Sequence, residues 1–208
     1  MDMSPQSAPG EGAAVEHEHF VEFYETTAFL IGTVADFLVP ALRAGDSAIV
    51  VATPDHRAAF AAAISAEHVD LDAATREGRY QALDAAEVLA MFMDDGAPDP
   101  VRFEEVAGSL LDRAMAGGRR VKVYGEMVAL LWADGDVRST IALEDLWNDL
   151  AVAREFALLC AYPMQDFDDT TRAAFKHICT QHSDVVCALL QGNSTRRDLY
   201  QHEPGGPA

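Results

Sequence analysis

The sequence predicts an α/β protein: a single domain folded as a three-layer α/β/α sandwich on a mostly parallel, doubly wound sheet. Its 208 residues, half of them apolar, suit one domain with a sizeable core. Short β-rich runs alternate with longer segments of helical period, which is the pattern of parallel strands joined by covering helices. The run SAIVVA at residues 47–52 is continuously apolar, as expected of a strand in the middle of the sheet.

The first half of the chain contains three predicted strand–helix units. Residues 19–23 form a strand, and residues 26–44 carry apolar side chains at helical spacing before Gly45 ends the helix. The strand at 47–52 runs into Thr53-Pro54-Asp55, which supplies an N-cap, a proline for the first helical position and an acid for the helix dipole. Residues 79–83 form a third strand that leads to Asp84 and a helix at 86–93.

The second half continues the alternation. A helix at 99–115 is closed by Gly117-Gly118, and residues 121–124 form the next strand. Helices at 126–132 and 139–154 follow, residues 156–161 form the last predicted strand, and residues 170–190 form the final helix. Residues 1–16 and 192–208 are rich in Gly, Pro, Ser and charge, so we expect disordered tails around a domain at 17–191.

Composition narrows the classes of function. A net charge of −19 argues against direct binding to nucleic acid or to an anionic membrane, because either surface would repel the protein. The chain has neither an N-terminal signal peptide nor an apolar run long enough to span a bilayer, which predicts a cytoplasmic protein. Its three cysteines lack CxxC spacing, so we expect reduced thiols.

Candidate ligand-binding residues follow the predicted strands, because ligands of doubly wound sheets gather beyond the carboxyl ends of the strands. These residues are Tyr24, Glu25, Thr53, Asp55, His56, Asp84, Tyr124 to Glu126, and Tyr162. The sequence lacks a P-loop, a GxGxxG fingerprint and a GxSxG nucleophile motif, which favours binding over catalysis. Glu126 has two interpretations: an acid at a helix N-terminus, or a carboxylate that accepts hydrogen bonds from a ligand.

Histidine and cysteine residues suggest a separate metal or cofactor site, although the same residues could simply be part of the core. His17 and His19 share the two-residue spacing of one strand face, and Cys179 and His182 share a face of the final predicted helix. That helical face is more typical of core than of a cofactor or redox site, and Trp147 on the helix at 139–154 is also expected to be core. On that helix, Glu144 and Asn148 are expected to face solvent.

Seven strings occur in this order along the chain: HFVEFYE, VVATPDHR, GRYQALDA, VKVYGEMVALLW, LEDLWNDL, LLCAYP and HICTQHSDV. Together they resemble the MEDS family, a sensory domain named for methanogens and methylotrophs, from about residue 19 to 186. The resemblance implies a RecA-like or KaiC-like fold without a nucleotide-binding loop, used to sense small molecules such as hydrocarbon derivatives. The family's patterned positions fall on His19, Phe23, Tyr24, Glu25, Thr53, Pro54, His56, Asp84, Tyr124, Gly125, Glu126, Trp132, Glu144, Trp147, Asn148, Cys160, Tyr162 and His182.

The polar residues at the predicted strand ends and the resemblance to the MEDS family together predict a non-catalytic sensory or regulatory domain. This domain would bind a small, partly apolar ligand, with no metal and no cofactor. The predicted ligand-binding residues are His19, Tyr24, Glu25, Thr53, His56, Asp84, Tyr124, Glu126, Trp147 and Tyr162. The chain ends soon after the family-like region, so we expect output through a histidine kinase or transcription-regulatory protein in trans, or through self-association as a homodimer.

Two alternatives stay open at this stage. The domain could be a protein-interaction module that works without a ligand and uses its acidic surface. It could also be a metal, haem or redox sensor that uses His19, Cys160, Cys179 or His182.

Overall fold

A computed structural model describes residues 18–164, 172–182 and 184–187 of the protein. The strands are β1 His19–Tyr24, β2 Ser47–Ala52, β3 Tyr80–Asp84, β4 Met93–Asp94, β5 Ala97–Pro98, β6 Val121–Gly125, β7 Ala157–Pro163 and β8 Asp184–Cys187. The helices are α1 Thr27–Arg43, α2 Pro54–Ala66, α3 Leu71–Arg76, α4 Ala85–Phe92, α5 Pro100–Phe103, α6 Ser109–Ala114, α7 Met127–Ala133, α8 Val137–Ala153 and α9 Arg172–Gln181, with a π-helical stretch at Glu104–Gly108 between α5 and α6.

The central sheet of the described residues has six strands in the order β3-β2-β6-β7-β1-β8, and every pairing in it is parallel. Side chains of α1, α2 and α3 pack on one face, around Phe37, Phe60 and Tyr124. Side chains of α4 to α9 pack on the other face, around Phe103 and Trp147. The predicted three-layer α/β/α sandwich with a doubly wound parallel sheet is therefore confirmed.

The strand order creates a switch point between β2 and β6. These two strands are neighbours, yet α2 follows β2 onto one face of the sheet while α7 follows β6 onto the other. Two helices that diverge in this way leave a crevice beyond the carboxyl ends of their strands, where doubly wound proteins bind ligands. The loops after β2 and β6 are thus the first place to examine for a site.

Local signals in the sequence account for most of the helix starts. Thr26, Asp70, Asp99 and Asp136 each accept a hydrogen bond from a backbone N–H of the helix that follows, which satisfies an otherwise unpaired donor. Asp84 does the same for two N–H groups of α4. Thr53 occupies the predicted N-cap position of α2 with Pro54 after it, but its side chain makes no capping hydrogen bond.

The predicted final helix at 170–190 is wrong in its second half. Helix α9 ends at Gln181, and residues 184–187 form strand β8 beside β1. The sequence DVVC has β-branched residues at its centre, which suit a strand, and its backbone pairs with an edge of β1 that would otherwise be open. Tertiary pairing here overrides a helical spacing of apolar residues.

The predicted helices at 86–93 and 99–115 are also altered. Helix α4 stops at Phe92 because residues 93–98 form a small hairpin, whose turn places Asp95 and Gly96 at positive φ angles of 47° and 79°. The second helix contains the π-helical stretch, where Gly108 lies against the Arg154 side chain. A Cβ atom at Gly108 would lie only 2.9 Å from the Arg154 guanidinium, so close packing favours glycine there.

Among the residues that the structure describes, no helix is both long enough and apolar enough to cross a membrane.

Candidate functional site

Four residues meet at the switch point, and we call them the edge cluster: Thr53, His56, Tyr124 and Glu126. Thr53 and His56 follow β2, Tyr124 lies near the end of β6, and Glu126 directly follows β6. The backbone N–H of Glu126 donates to the carbonyl of Val51 at 2.9 Å, which holds the start of α7 against the end of β2. The parallel pairing of β2 with β6 thus brings together residues that are more than 60 positions apart in the chain.

The Glu126 carboxylate receives three contacts within the edge cluster. The backbone N–H of Thr53 donates to Oε2 at 2.7 Å, and the Tyr124 hydroxyl donates to Oε1 at 3.1 Å. His56 Nδ1 contacts Oε1 as well, so Nδ1 carries the hydrogen that this contact needs. Glu126 stands at the N-cap position of α7, but its carboxylate makes no capping bond to that helix. It joins β2, α2 and β6 instead.

Exposure differs sharply within the edge cluster. Tyr124 is fully buried and Glu126 is 4% exposed, whereas 20% of the His56 side chain reaches solvent. Burial, reinforced by the nearby Glu126 carboxylate, raises the pKa of the Tyr124 hydroxyl well above its ordinary value, so this group stays a donor. The hydrogen bond to Glu126 raises the pKa of His56 above 6.5, despite partial burial. His56 is therefore the solvent-facing end of a polar chain that leads into the core.

An aromatic wall adjoins the edge cluster. Phe60 lies one helical turn after His56, with its ring centroid 5.6 Å from the imidazole and 5.0 Å from the Tyr124 ring, which it meets edge-on. The cluster thus places a carboxylate acceptor beside two buried aromatic rings.

Three other predicted residues also lie at this edge of the sheet. Asp84 caps α4 and forms an ion pair with Arg57 at 3.1 Å, so its carboxylate is engaged on both oxygens. Tyr24, at the end of β1, is partly buried, and Glu25 next to it is exposed. The structure therefore brings Thr53, His56, Tyr124 and Glu126 into contact, and places Tyr24, Glu25 and Asp84 at the carboxyl ends of β1 and β3.

The other three predicted residues lie in the core, on β1, α8 and β7. His19, Trp147 and Tyr162 are 2%, 4% and 0% exposed. Trp147 packs edge-on against Phe103 at 5.0 Å, as core. His19 and Tyr162 belong to a second polar group in the interior. His17, the other member of the His-x-His pair, lies outside the described residues.

The second group consists of His19, Glu144, Cys160 and His182, and we call it the interior cluster. One ligand-type atom from each residue lies within 4.8 Å of those from the other three, and all four residues are buried. His19 Nε2 lies 3.5 Å from Cys160 Sγ and 3.5 Å from Glu144 Oε2. His182 Nε2 and Cys160 Sγ lie 3.4 and 3.7 Å from the same carboxylate oxygen. Cys179, on α9, is not a member of the cluster.

The expectation that Glu144 faces solvent is wrong: its side chain is fully buried. The Tyr162 hydroxyl donates to Glu144 Oε1 at 2.5 Å, and the cluster residues surround Oε2. Burial opposes ionisation of Glu144, but His182, His19 and Tyr162 outweigh it and hold the pKa of the carboxyl at about 2. Asn148, also expected to face solvent, is half-buried because its side-chain oxygen lies 2.8 Å from His19 Nδ1.

Ionisation states in the interior cluster follow from burial. Burial lowers the pKa of His19 to about 4, so its imidazole is neutral at pH 7. Burial also raises the pKa of the Cys160 thiol and of the Tyr162 hydroxyl well above their ordinary values, with the Glu144 charge adding to both shifts. The cluster thus holds one carboxylate and at least one neutral imidazole beside a protonated thiol.

Comparison with known families identifies the domain. A family model described as MEDS, "MEthanogen/methylotroph, DcmR Sensory domain", matches residues 18–180. The chain belongs to the MEDS family. Because MEDS is a family of sensory domains, the protein has a sensory or regulatory role. A comparison with curated proteins gives no match.

Both polar groups belong to the MEDS domain, with one residue at its boundary. The whole edge cluster and three members of the interior cluster lie inside the matched range, whereas His182 lies two residues beyond it. Glu144 is the residue that site prediction from strand ends missed, because it lies on a helix and its polar face looked solvated. A signal existed in the string LEDLWNDL, which places Glu144 beside the apolar positions of Leu143 and Trp147.

The pKa of His56 predicts how the stability of the MEDS domain depends on pH. Because the folded-state pKa is raised, the stability that His56 gains from Glu126, with a smaller contribution from Asp55, is fully present below the unfolded value of 6.5. It is lost as pH rises through the folded-state pKa. We therefore expect His56→Gln to cost more free energy of unfolding at about pH 6 than at about pH 9, as measured by urea denaturation.

The exposed His177→Gln on α9 serves as the matched control for this comparison. Equal losses for His56→Gln at both pH values would show that the His56–Glu126 contact carries no charge-dependent stability.

Proposed function

We propose that this MEDS domain binds a small, partly apolar molecule at the carboxyl edge of its sheet and passes on the bound state to a separate protein. The main supporting observation is the contact between the partly exposed His56 and the buried Glu126 carboxylate at the switch point between β2 and β6. A ligand that reaches this edge meets a replaceable donor first, and a buried acceptor behind it.

The proposed mechanism is competition for Glu126. A ligand with a hydroxyl, amine or polarised C–H donor would take the place of His56 on Oε1, while its apolar part would pack against the Phe60 and Tyr124 rings. Because His56 lies in the first turn of α2, its release would free that turn to move. Helix α2 packs against α1, so the movement would reach the outer surface of the domain.

A binding role fits the geometry better than a catalytic one. A general base needs a lone pair that is free to take a proton from a substrate. Glu126 already accepts from Thr53 and Tyr124 and contacts His56, so a ligand must displace a partner before it can bind. Such an exchange suits a receptor that changes shape on binding.

We propose that the output passes to a protein and not to nucleic acid. The net charge of −19 opposes direct contact with a phosphate backbone, whereas it favours association with a basic surface of a partner. A cytoplasmic histidine kinase or a transcription-regulatory protein acting in trans is the class of partner that this charge and the sensory family suit.

Thermal-shift measurements on the purified protein test the ligand site. A panel of small halogenated, C1 and hydrocarbon compounds should include at least one that raises Tm by about 3 °C or more, which is about 1 kcal/mol for a domain of this size. We expect Glu126→Gln to abolish this response, and His56→Ala to strengthen it because the competing donor is gone. Glu87→Gln, an exposed first-turn acid of α4, should leave it unchanged.

Two outcomes would argue against the proposal. A response that persists in Glu126→Gln would move the ligand away from the edge cluster. A flat response across the panel, together with a stable complex with a partner protein that is indifferent to His56 and Glu126 variants, would favour an interaction module that needs no ligand.

A further inference from the structure

We infer that the interior cluster is a binding site for one divalent transition-metal ion of the zinc class, held by His19, Glu144, Cys160 and His182. This site is separate from the edge cluster and does not depend on the function proposed above. From sequence alone a metal site was only an alternative, because the helical face of Cys179 and His182 is typical of core, and Glu144 was expected to face solvent. Its burial supplies the carboxylate around which the other three side chains gather.

The spacing of the ligand atoms matches a tetrahedral site. With metal–ligand bonds of about 2.0–2.3 Å, neighbouring ligands of tetrahedral zinc lie about 3.3–3.8 Å apart. In the interior cluster Glu144 Oε2 lies 3.5, 3.7 and 3.4 Å from the ligand atoms of His19, Cys160 and His182. The His19–Cys160 separation is 3.5 Å, and the remaining pairs lie within 4.8 Å. Small side-chain shifts are sufficient to enclose an ion.

The orientation of the two imidazole rings is that of ligands around a common centre. His182 Nδ1 lies 2.7 Å from the backbone carbonyl of Ile178, which can only accept, so Nδ1 carries a hydrogen and Nε2 is the ring nitrogen that faces the cluster. His19 Nδ1 is likewise directed at the oxygen of Asn148, 2.8 Å away. Both Nε2 atoms therefore face Glu144 Oε2, at 3.5 and 3.4 Å, and an ion between them would bind all three atoms.

The burial of His182 is a second observation that favours a bound ion. Its side chain is completely buried, and in the part of the chain that the structure describes Nε2 has no hydrogen-bond partner, although it lies 3.4 Å from Glu144 Oε2. An unsatisfied polar atom in the interior costs about 1–3 kcal/mol, so such atoms are rare without a function. Coordination of an ion would satisfy this one.

The hydrogen bonds around the interior cluster match those found around metal-binding histidines in other proteins. Metal-binding histidines almost always donate their other N–H to a carbonyl or carboxylate, which fixes the ring and the tautomer. In the interior cluster the acceptors are the Ile178 carbonyl and the Asn148 side-chain oxygen. The Tyr162 hydroxyl donates to Glu144 Oε1, which leaves Oε2 facing the cluster. The four ligand atoms thus converge on one point, and the outward-facing polar atoms of His19, His182 and Glu144 are each held by a neighbouring group.

The donor set selects the class of metal. Two imidazoles, one thiolate and one carboxylate suit Zn²⁺ and its tetrahedral relatives such as Co²⁺, and do not suit Mg²⁺ or Ca²⁺, which take oxygen ligands. Binding would displace the thiol proton of Cys160 to solvent, leaving the thiolate as the ligand. Four protein ligands leave no open position, which is typical of structural or sensing sites. The ion would join β1, β7, α8 and the end of α9.

Cobalt titration of the full-length protein, stripped of metal by a chelator, tests the inference. We expect one Co²⁺ per chain, with the visible absorption bands of a tetrahedral site and a near-ultraviolet sulfur-to-cobalt charge-transfer band. Zn²⁺ should displace the cobalt and raise Tm. Cys160→Ala should remove the charge-transfer band and weaken binding by at least about 100-fold, since it loses a direct ligand. Cys179→Ala, which removes a thiol on α9 that does not belong to the cluster, should leave both unchanged.

Other outcomes of the cobalt titration would contradict a metal site in the interior cluster. If the wild-type protein is folded by circular dichroism and shows neither tetrahedral cobalt bands nor a charge-transfer band, the inference is overturned without any variant. If Cys160→Ala binds as tightly as wild type, the ion is held elsewhere, for example by His17 and neighbouring side chains of the EHEH stretch at residues 16–19. Tyr162→Phe, which keeps all four ligands, should weaken binding by about 10-fold or more, whereas a site without this geometry would not respond.

Discussion

Replacing Glu144 with alanine is expected to lower the free energy of unfolding by about 3–5 kcal/mol. The carboxylate is completely buried, and its removal leaves the Tyr162 hydroxyl without the acceptor that it now reaches at 2.5 Å. It also leaves a cavity beside two buried histidines. Urea denaturation in the presence of a chelator measures the effect of the protein groups alone, without any contribution from bound metal.

Two matched variants make this result specific. Asp149→Ala removes an exposed carboxylate from the same helix and should change stability by no more than about 0.5 kcal/mol. Glu144→Gln keeps the shape and one carbonyl acceptor, so its loss should be smaller than that of alanine. A loss for Glu144→Ala as small as that of Asp149→Ala would mean that Glu144 faces solvent in solution, as the helical pattern alone suggested.

Glu126→Ala is expected to lower the free energy of unfolding by about 2–4 kcal/mol. The reason is the number of donors that depend on this carboxylate: the Thr53 N–H, the buried Tyr124 hydroxyl and His56 all contact it. Without it, the fully buried Tyr124 hydroxyl loses its acceptor. If Glu126 were only a helix N-terminal acid, the loss would be at most about 1 kcal/mol.

Glu87→Ala measures that smaller effect directly, because Glu87 is an exposed acid in the first turn of α4. Denaturation curves of the two alanine variants, recorded at the same pH, should differ by at least about 1 kcal/mol. Equal losses would show that Glu126 acts through the helix dipole alone. Glu126→Gln should recover part of the stability, since its carbonyl can still accept from Thr53.

Both predictions concern glutamates of predicted helices, but the two carboxylates differ in how accessible their partners are to a ligand. Glu126 lies at the carboxyl edge with a partly exposed partner, so a ligand can compete for it. Glu144 lies in the interior between a sheet and a helix, where exchange with a solvent-borne organic ligand would require α8 to move. The edge therefore suits recognition of a small molecule, and the interior suits an ion.

Local sequence patterns were sufficient to predict the fold class, the central strands and most helix starts. These features depend on neighbouring residues: the continuous apolar run at 47–52, the proline after Thr53, and the caps at Asp84 and Asp136. Local periodicity also placed Glu126 at the end of a strand, which was sufficient to nominate it. It could not show that Thr53, His56 and Tyr124 contact it, because that requires β2 to pair with β6.

Contacts between elements distant in sequence set the order of the strands, the burial of Glu144 and the strand at 184–187. The pairing of β1 with β7 sets His19 beside Cys160, 141 residues away in the chain, and the packing of α8 and α9 on the same face adds Glu144 and His182. A helical pattern reports how apolar each position is. It does not report that a carboxylate on the flank of an apolar stripe is covered by a second helix, because that depends on contacts between elements distant in sequence.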